Sequence, residues 1–225
     1  MQVSHYDECV IVMSSQVPPP TADEPQASAK ALRAFLLGLD DVIGTHATEM
    51  LLRQGGVPQF IGNYPPDTEE RAGYLLRYFS RVNQALFNVY GMRGARAIMQ
   101  RVGRAQATRG LEESATLVAV ARAAMKLAPL HQRVMLVLER SARAMQAQLD
   151  STIRVTHDSG LYYIEVQDCP YCMDWQSSTP VCYSMIGFWH RVLQRATGGT
   201  ETIEESECCA KGAAACKYKI TLHPE

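Results

Sequence analysis

The chain has 225 residues, enough for one large domain or for a domain with a small appended subdomain. Its 47% hydrophobic and 20% charged residues are ordinary for a globular protein, and a net charge of −1 gives no general attraction to nucleic acid or anionic membranes. No apolar run approaches the roughly 18 residues of a membrane-spanning helix, and the N-terminus lacks the segments of a signal peptide. We therefore expect a cytoplasmic protein that neither binds nucleic acid nor inserts into a membrane.

Residues 1–28 are predicted to form a flexible N-terminal segment that ends in a proline-rich linker. A strand could form at 9–13 (CVIVM), but residues 14–26 contain too many prolines for a helix. The remainder, 29–225, is predicted to be a single domain.

The first part of this domain, 29–149, has the periodicity of amphipathic helices. The first helix is predicted at 29–53, ending at a Gly-Gly pair. Asp67 and Glu70 form a capping box for the second helix, which is predicted to continue to a break at Gly91 or Gly94. Its predicted core face comprises Leu75, Phe79, Val82, Leu86 and Val89. Three further helices are predicted at 95–106, 111–127 and 130–149.

The second part, 150–225, changes from a period of 3.6 to a period of 2. Strands at 152–156 and 161–166 flank a hairpin turn, a helix follows at 182–195, and strands at 201–208 and 216–222 end the pattern. The predicted class is therefore α+β, with an N-terminal helical bundle packed on a small antiparallel ββαββ sheet.

Six of the seven cysteines lie in this second part. Their odd number and clustering indicate thiolates on a metal in a reducing compartment rather than a disulfide framework. Cys182, Glu205, Cys208 and Cys216 can supply three thiolates and one carboxylate, a tetrahedral zinc set. Four protein ligands leave no open position for water, so this zinc is predicted to be structural. A four-thiolate site that uses Cys169 and Cys172 with two of the later cysteines is the alternative.

The string CPYC at 169–172 is also the active-site sequence of glutaredoxins. Dithiol chemistry requires the first cysteine at a helix N-terminus, where the helix dipole lowers its pKa. The residues that follow, MDWQSSTP, are poor helix formers, and no parallel βαβ pattern surrounds them. The pattern therefore favours a loop closed by two cysteines.

The end of the chain resembles the 4-vinyl reductase domain family, whose signature reads approximately PxCxxxxG followed by ExxCxAxGxxxCxF. The corresponding positions include Pro180, Gly187, Gly212 and the four proposed zinc ligands, with Tyr218 where Phe is usual. The NYPPD motif at 63–67 and the segment from Val89 are similar to stand-alone members called hydrocarbon-binding proteins. The resemblance covers about residues 29–222.

This resemblance implies a Bet3-like fold, shared with subunits of the TRAPP tethering complex and normally homodimeric. The long apolar helices between Asp67 and Leu149 also favour a homodimer, because one helix layer on a four-stranded sheet cannot easily bury both. In the related phenol-sensing domains, three Cys and one Glu hold a structural zinc, at positions that match the set above. A His and a Trp hold the phenol there; His131 lies near the first place, but 161–163 (LYY) fill the second.

The leading functional hypothesis is a domain that encloses an apolar, aromatic or lipid-like ligand between its helices and its sheet, with a separate partner receiving any signal. Ten Met and ten Tyr suit a malleable pocket. The predicted pocket residues are His131, Tyr162, Tyr163, Phe188 and Trp189. One alternative is an enzyme or accessory factor in tetrapyrrole vinyl reduction, although no reductase cofactor motif is visible. A second alternative is a structural adaptor like the TRAPP subunits.

Overall fold

A computed structural model describes residues 24–71, 73–113 and 128–223. Within these ranges the helices are α1 Ala29–Ile43, α2 Thr45–Gln54, α3 Arg77–Glu113, α4 Leu130–Gln148 and α5 Tyr183–Thr197. The strands are β1 Thr152–Asp158, β2 Leu161–Gln167, β3 Glu201–Glu207 and β4 Cys216–Leu222. The strand predicted at 9–13, the linker up to residue 23, and residues 114–127 of the fourth predicted helix lie outside the described residues.

The four strands form one antiparallel sheet in the order β1-β2-β4-β3. The β1–β2 hairpin turns at Ser159 and Gly160, both with positive φ, as the predicted hairpin turn requires. One face of the sheet carries the buried residues Ile153, Tyr162, Ile164, Val166, Ile203, Cys216, Tyr218 and Ile220. The alternate residues are mainly polar, so only one face of the sheet is covered within the chain.

Helix α5 lies in the middle of the molecule. It packs against α3 on one side and against α4 and β3 on the other, while α1 and α2 pack on the far side of α3. The predicted α+β class, with helices on a small antiparallel sheet, is confirmed. In the described ranges, no helix combines the length and apolar character needed to span a membrane.

Two predicted helix boundaries are wrong. The helix predicted at 29–53 is broken at Gly44, whose φ of 83° and ψ of 154° end α1 and let α2 start in a new direction. The capping box at Asp67 and Glu70 caps no helix, because α3 begins only at Arg77. Spacing alone cannot show that a chain needs a turn where an amphipathic pattern would continue.

The predicted break at Gly91 is confirmed, since this residue has φ 64° and ψ 172° inside α3. The helix resumes immediately and extends to Glu113, beyond the predicted end at 106. Of the predicted core face, Val89 is wrong, because 42% of it is exposed beside the kink. Leu75, Phe79, Val82 and Leu86 are buried.

This burial occurs within one chain. The side chains beneath α1 and α2 include Phe35, whose ring stacks on Phe79 with centroids 5.0 Å apart. Helix α4 buries Val134, Leu138 and Ala142 against α5 and β1. The argument for a homodimer from uncovered helix stripes therefore does not hold, and the expectation of a dimer rests on the family resemblance.

The end of the predicted linker is part of the packed structure. Gln26 and Ala27 form isolated β-bridges with Leu75 and Leu149, and Ala27 is fully buried. Ser28 caps α1 by accepting a hydrogen bond from the Ala31 N–H at 3.0 Å. Residues 26–28 thus join α1 to the start of α3 and the end of α4.

Helices α3 and α5 approach each other through two glycines. A Cβ on Gly187 would lie 2.0 Å from the Gln100 carbonyl oxygen, and a Cβ on Gly103 would lie 1.9 Å from the Ser184 carbonyl oxygen. Both contacts are with backbone atoms, which cannot move without separating the helices. Gly187 and Gly103 therefore set the distance between α3 and α5.

We expect Gly187→Ala to destabilise the protein by about 3 kcal/mol, which corresponds to a fall of roughly 6–12 °C in melting temperature. Gly110→Ala is the matched control, since Gly110 also lies in α3 but a Cβ there would meet nothing within 4 Å. Thermal unfolding followed by circular dichroism measures both variants. Equal melting temperatures for Gly187→Ala and the unmodified chain would contradict the close approach.

Candidate functional site

Five cysteine side chains meet in the interior where the loop after β2, the N-terminus of α5 and the β3–β4 connection converge. They are Cys169, Cys172, Cys182, Cys208 and Cys216, all buried with free thiols. The Cys182 Sγ lies 3.6 Å from that of Cys169, 3.9 Å from that of Cys208 and 3.8 Å from that of Cys216. The Cys172 and Cys216 Sγ atoms are 3.4 Å apart. Cys182 and Cys216 are thus the central members of this thiol cluster.

The local backbone explains how separate segments reach one point. Cys182 is the N-cap of α5, and Cys216 is the first residue of β4, on the covered face of the sheet. Cys208 follows β3 and precedes a short 3-10 turn at Cys209–Lys211, which ends at Gly212 with φ 92°. The backbone N–H of Cys209 donates a hydrogen bond to the Cys216 Sγ at 3.3 Å.

A β-bulge brings Glu205 and Cys208 to the same side of β3. Glu205 pairs with Tyr218 and Glu207 with Lys217, so Ser206 is the extra residue on this strand. With strict alternation, residues 205 and 208 would face opposite sides of the sheet. The bulge shifts the alternation by one residue, which lets both side chains enter the cluster.

Glu205 is the only carboxylate that joins a possible metal set in the described part of the chain. Its Oε2 accepts a hydrogen bond from the Cys182 backbone N–H at 3.0 Å, whereas its Oε1 is buried without a hydrogen-bond partner among the described residues. Burial, and then the neighbouring Cys208, raise the pKa of Glu205 to about 9. Burial also raises the pKa of the Cys182 thiol. The cluster therefore needs a cation before it can carry its full negative charge.

The predicted ligands fit a tetrahedral zinc ion. The ligand atoms of Cys182, Glu205, Cys208 and Cys216 all lie within 4.8 Å of one another. Zinc–sulfur bonds of about 2.3 Å place two thiolates of a tetrahedral site about 3.8 Å apart. The distances of 3.8 and 3.9 Å from Cys182 to Cys216 and Cys208 agree with this value. The unpartnered Glu205 Oε1 is a free oxygen donor for the ion.

The alternative ligands are brought to the same place. Cys169, Cys172, Cys182 and Cys216 form a second set of four within 4.8 Å of one another, and all four are buried. The two sets share Cys182 and Cys216. The sequence analysis treated them as competitors, and the structure brings both together.

Helix α3 holds the loop that carries Cys169 and Cys172. The buried Asn83 amide donates hydrogen bonds to the carbonyls of Tyr171 and Val181, at 2.8 and 3.1 Å. The Ser80 hydroxyl donates to the Met173 carbonyl at 2.6 Å. The sequence analysis missed these residues, although a polar Asn between the apolar positions 82 and 86 was a usable signal.

An open cleft of about 630 Å³ reaches the thiol cluster from the surface. It is lined by residues 168–169 and 172–176 of the loop after β2 and by Cys209, Ala213 and Ala214. The half-buried Cys209 thiol therefore faces the same opening as Cys169 and Cys172. None of the five predicted pocket residues lines this cleft.

Two of the predicted pocket residues meet at the open end of the β1–β2 hairpin. The His131 Nδ1 lies 3.1 Å from the Tyr162 hydroxyl oxygen, and the His157 ring joins them, with its centroid 4.3 Å from that of His131. Tyr162 is on the covered face of the sheet. Tyr163 points to the opposite face, where the Lys217 ammonium lies 5.3 Å from its ring centroid.

The other two predicted pocket residues lie on α5. Phe188 is half-buried and contacts Trp189 edge to face, with centroids 5.3 Å apart. Trp189 is fully buried, and its Nε1 has no hydrogen-bond partner in the part of the chain that the structure describes. The same holds for the hydroxyl of Tyr218 on β4. Burial raises the pKa of Tyr218 well above its usual value, so this hydroxyl is a neutral donor.

Comparison with protein families confirms the resemblance to the 4-vinyl reductase domain family. Residues 162–222 match the model of that domain, so the match begins in β2 and ends with β4. It includes α5 and all four ligands of the predicted zinc site. A sequence search of curated proteins gives no match.

Comparison with solved structures identifies the same general fold in sensory proteins. Two crystal structures of an H-NOX protein from S. oneidensis, in Fe(II) and Fe(II)NO states, match with TM-scores of 0.52 and 0.50 at 12% identity. The matches cover 86% and 85% of this chain and 96% and 99% of those chains. The phenol-responsive sensory domain of the transcription activator PoxR, solved with phenol, matches with a TM-score of 0.44 at 18% identity, over 68% of this chain and 77% of that one. At these identities the H-NOX likeness concerns the fold alone.

Proposed function

We propose that this protein is a small-molecule-binding sensory domain that takes a largely apolar or aromatic ligand carrying a polar atom. The observation that carries the proposal is the pair of buried donors, the Trp189 indole N–H and the Tyr218 hydroxyl, which lack partners among the described residues. The match to the 4-vinyl reductase domain supports it, because both donors lie within 162–222.

Unpartnered buried donors are costly. A donor removed from water without a new hydrogen bond costs about 1–3 kcal/mol, so such groups are rare unless something binds them. Trp189 and Tyr218 both belong to the apolar core, among side chains such as Val192, Leu193 and Ile220. A site of this kind suits a ligand that is mainly apolar and offers one or two acceptors.

The cluster of Tyr162, His131 and His157 is the second group that supports the proposal. It places a phenol and two imidazoles at one end of the covered sheet face, where β1, β2 and α4 meet. Aromatic faces of this kind stack on flat ligands, and imidazoles can donate or accept. We propose that the ligand lies along the covered face of the sheet, near these residues.

A thermal-shift screen against phenols, fatty acids and tetrapyrroles tests the proposal. A ligand present at 100 times its Kd should stabilise the protein by about 2.7 kcal/mol, or roughly 5–10 °C in melting temperature. Tyr218→Phe and Tyr162→Phe should each reduce this shift, because each removes one hydroxyl from the covered face. Tyr163→Phe is the matched control, since it removes a hydroxyl from the opposite face of the same sheet.

Either of two results would contradict ligand binding at this face. The first is the absence of stabilisation by every class in the screen. The second is an equal shift in all three Tyr→Phe variants and in the unmodified chain.

We further propose that Cys182, Glu205, Cys208 and Cys216 hold a structural zinc ion. When bound, the ion would act as a cross-link and neutralise part of the charge of its ligands. Cys182 caps α5, and the other three ligands come from β3, β4 and their connection. The site would therefore fix the N-terminus of α5 to the β3–β4 hairpin.

Cys208→Ser should release this zinc and lower the melting temperature by roughly 10 °C or more, because the binding energy of structural zinc, about 10 kcal/mol in small domains, is largely folding energy. Cys209→Ser is the matched control, as Cys209 is adjacent in sequence but belongs to neither metal set. Elemental analysis and thermal unfolding measure the two effects. Zinc content and stability that are the same in both variants would remove Cys208 from the site.

The family resemblance also leads us to propose a homodimer. Val89, Tyr90 and Met92 are large apolar residues around the kink in α3, each with 37–42% of its surface exposed. A second copy could cover them. Light scattering at micromolar concentration should give about 50 kDa, twice the 25.0 kDa of one chain. A mass of one chain would exclude the dimer under those conditions.

A further inference from the structure

The thiol cluster contains more metal ligands than one ion can use. Five buried thiols and the Glu205 carboxylate lie in two sets of four that share Cys182 and Cys216. An ion bound by the set with Glu205 would leave the Cys169 and Cys172 thiols buried beside it. An ion bound by the four cysteines would leave Cys208 and the Glu205 carboxylate buried without a cation.

We propose that the cluster binds two divalent zinc-class ions that share the Cys182 and Cys216 thiolates. One ion, the inner ion, takes Glu205 and Cys208 as its other ligands, and the second, the outer ion, takes Cys169 and Cys172. Two four-coordinate ions with two bridging ligands require six ligand groups, which is the number present. The inference rests on the zinc part of the proposed function and is independent of the ligand.

The distances support two shared thiolates. Cys182 lies 3.6 Å from Cys169 and 3.9 Å from Cys208, so its sulfur is a neighbour of one terminal ligand from each set. Cys216 lies 3.4 Å from Cys172 and 3.8 Å from Cys182. These values are close to the separation of about 3.8 Å between two thiolates on one zinc ion.

Charge also favours two ions. Five thiolates and one carboxylate carry six negative charges in a site where all five sulfurs are buried. One divalent ion would leave four of these charges uncompensated, unless thiols stay protonated, whereas two ions leave two. The Cys209 N–H that donates to Cys216 and the Cys182 N–H that donates to Glu205 offset part of the remainder.

The two ions would differ in access to solvent. The open cleft is lined by Cys169 and Cys172 but by neither Glu205 nor Cys208. The outer ion would therefore exchange with chelators faster than the inner ion. Sulfur donors select zinc and related soft ions over magnesium or calcium.

Metal analysis of the intact chain, purified anaerobically with reductant, tests the proposal. The unmodified chain should contain about two zinc ions. Cys169→Ser with Cys172→Ser should leave about one, and the protein should stay folded because the inner site is intact. Glu205→Gln with Cys208→Ser should also lose one ion. Cys209→Ser should keep both, as its thiol belongs to neither set.

Cobalt provides a readout that metal counting lacks. In protein produced with Co²⁺ in place of Zn²⁺, shared thiolates couple the two ions magnetically. The paramagnetic resonance signal per cobalt should therefore be weaker in the unmodified chain than in the Cys169→Ser, Cys172→Ser double variant.

Three results would overturn the proposal. One zinc per chain that the Cys169 and Cys172 double variant retains would establish the inner site alone. One zinc per chain that this variant loses, and the Glu205 and Cys208 variant retains, would establish the four-cysteine site and would also overturn the proposed structural zinc. Iron with acid-labile sulfide would show a different kind of centre.

Discussion

The buried thiol cluster is the constraint on which the rest of the second half of the chain depends. Five thiols and one carboxylate cannot be ionised together in the interior without cations, because burial opposes each charge. The groups come from the loop after β2, the start of α5, the end of β3 and the start of β4. A metal bound there would join four segments whose own hydrogen bonds connect them only in part. The bulge at Ser206 and the hydrogen bonds of Asn83 serve to bring the ligands to this point.

Helix α5 connects this cluster to the proposed ligand site. Its first end is capped by Cys182, and two turns later it carries Trp189 in the centre of the core. Strand β4 repeats the relation, since Cys216 and Tyr218 are two residues apart on its covered face. Groups proposed to bind the ligand and groups proposed to bind metal therefore lie on the same two elements. The Gly103–Gly187 contact also holds α5 against α3. A ligand that shifted α5 would act on both of its neighbours.

Some features of this protein follow from the sequence alone. The change of period after residue 149 predicted the sheet and its hairpins, because a one-sided sheet requires alternation. The cysteine spacing and the Cys/Glu signature indicated the ligands that meet in the interior, because metal sites need few residue types at restricted spacings. The break at Gly91 was also predictable, since glycine can adopt a positive φ within a helical pattern.

Tertiary structure decided the remainder. The break at Gly44, the late start of α3 at Arg77 and the exposure of Val89 depend on how helices pack, and an amphipathic pattern does not contain that information. Cys169 and Cys172 could not be assigned from spacing, because only the fold brings them next to Cys182 and Cys216. The missing partners of Trp189 and Tyr218 are likewise visible only in three dimensions. Sequence specifies which groups can bind, but distances between residues far apart in the chain arise only when the chain packs.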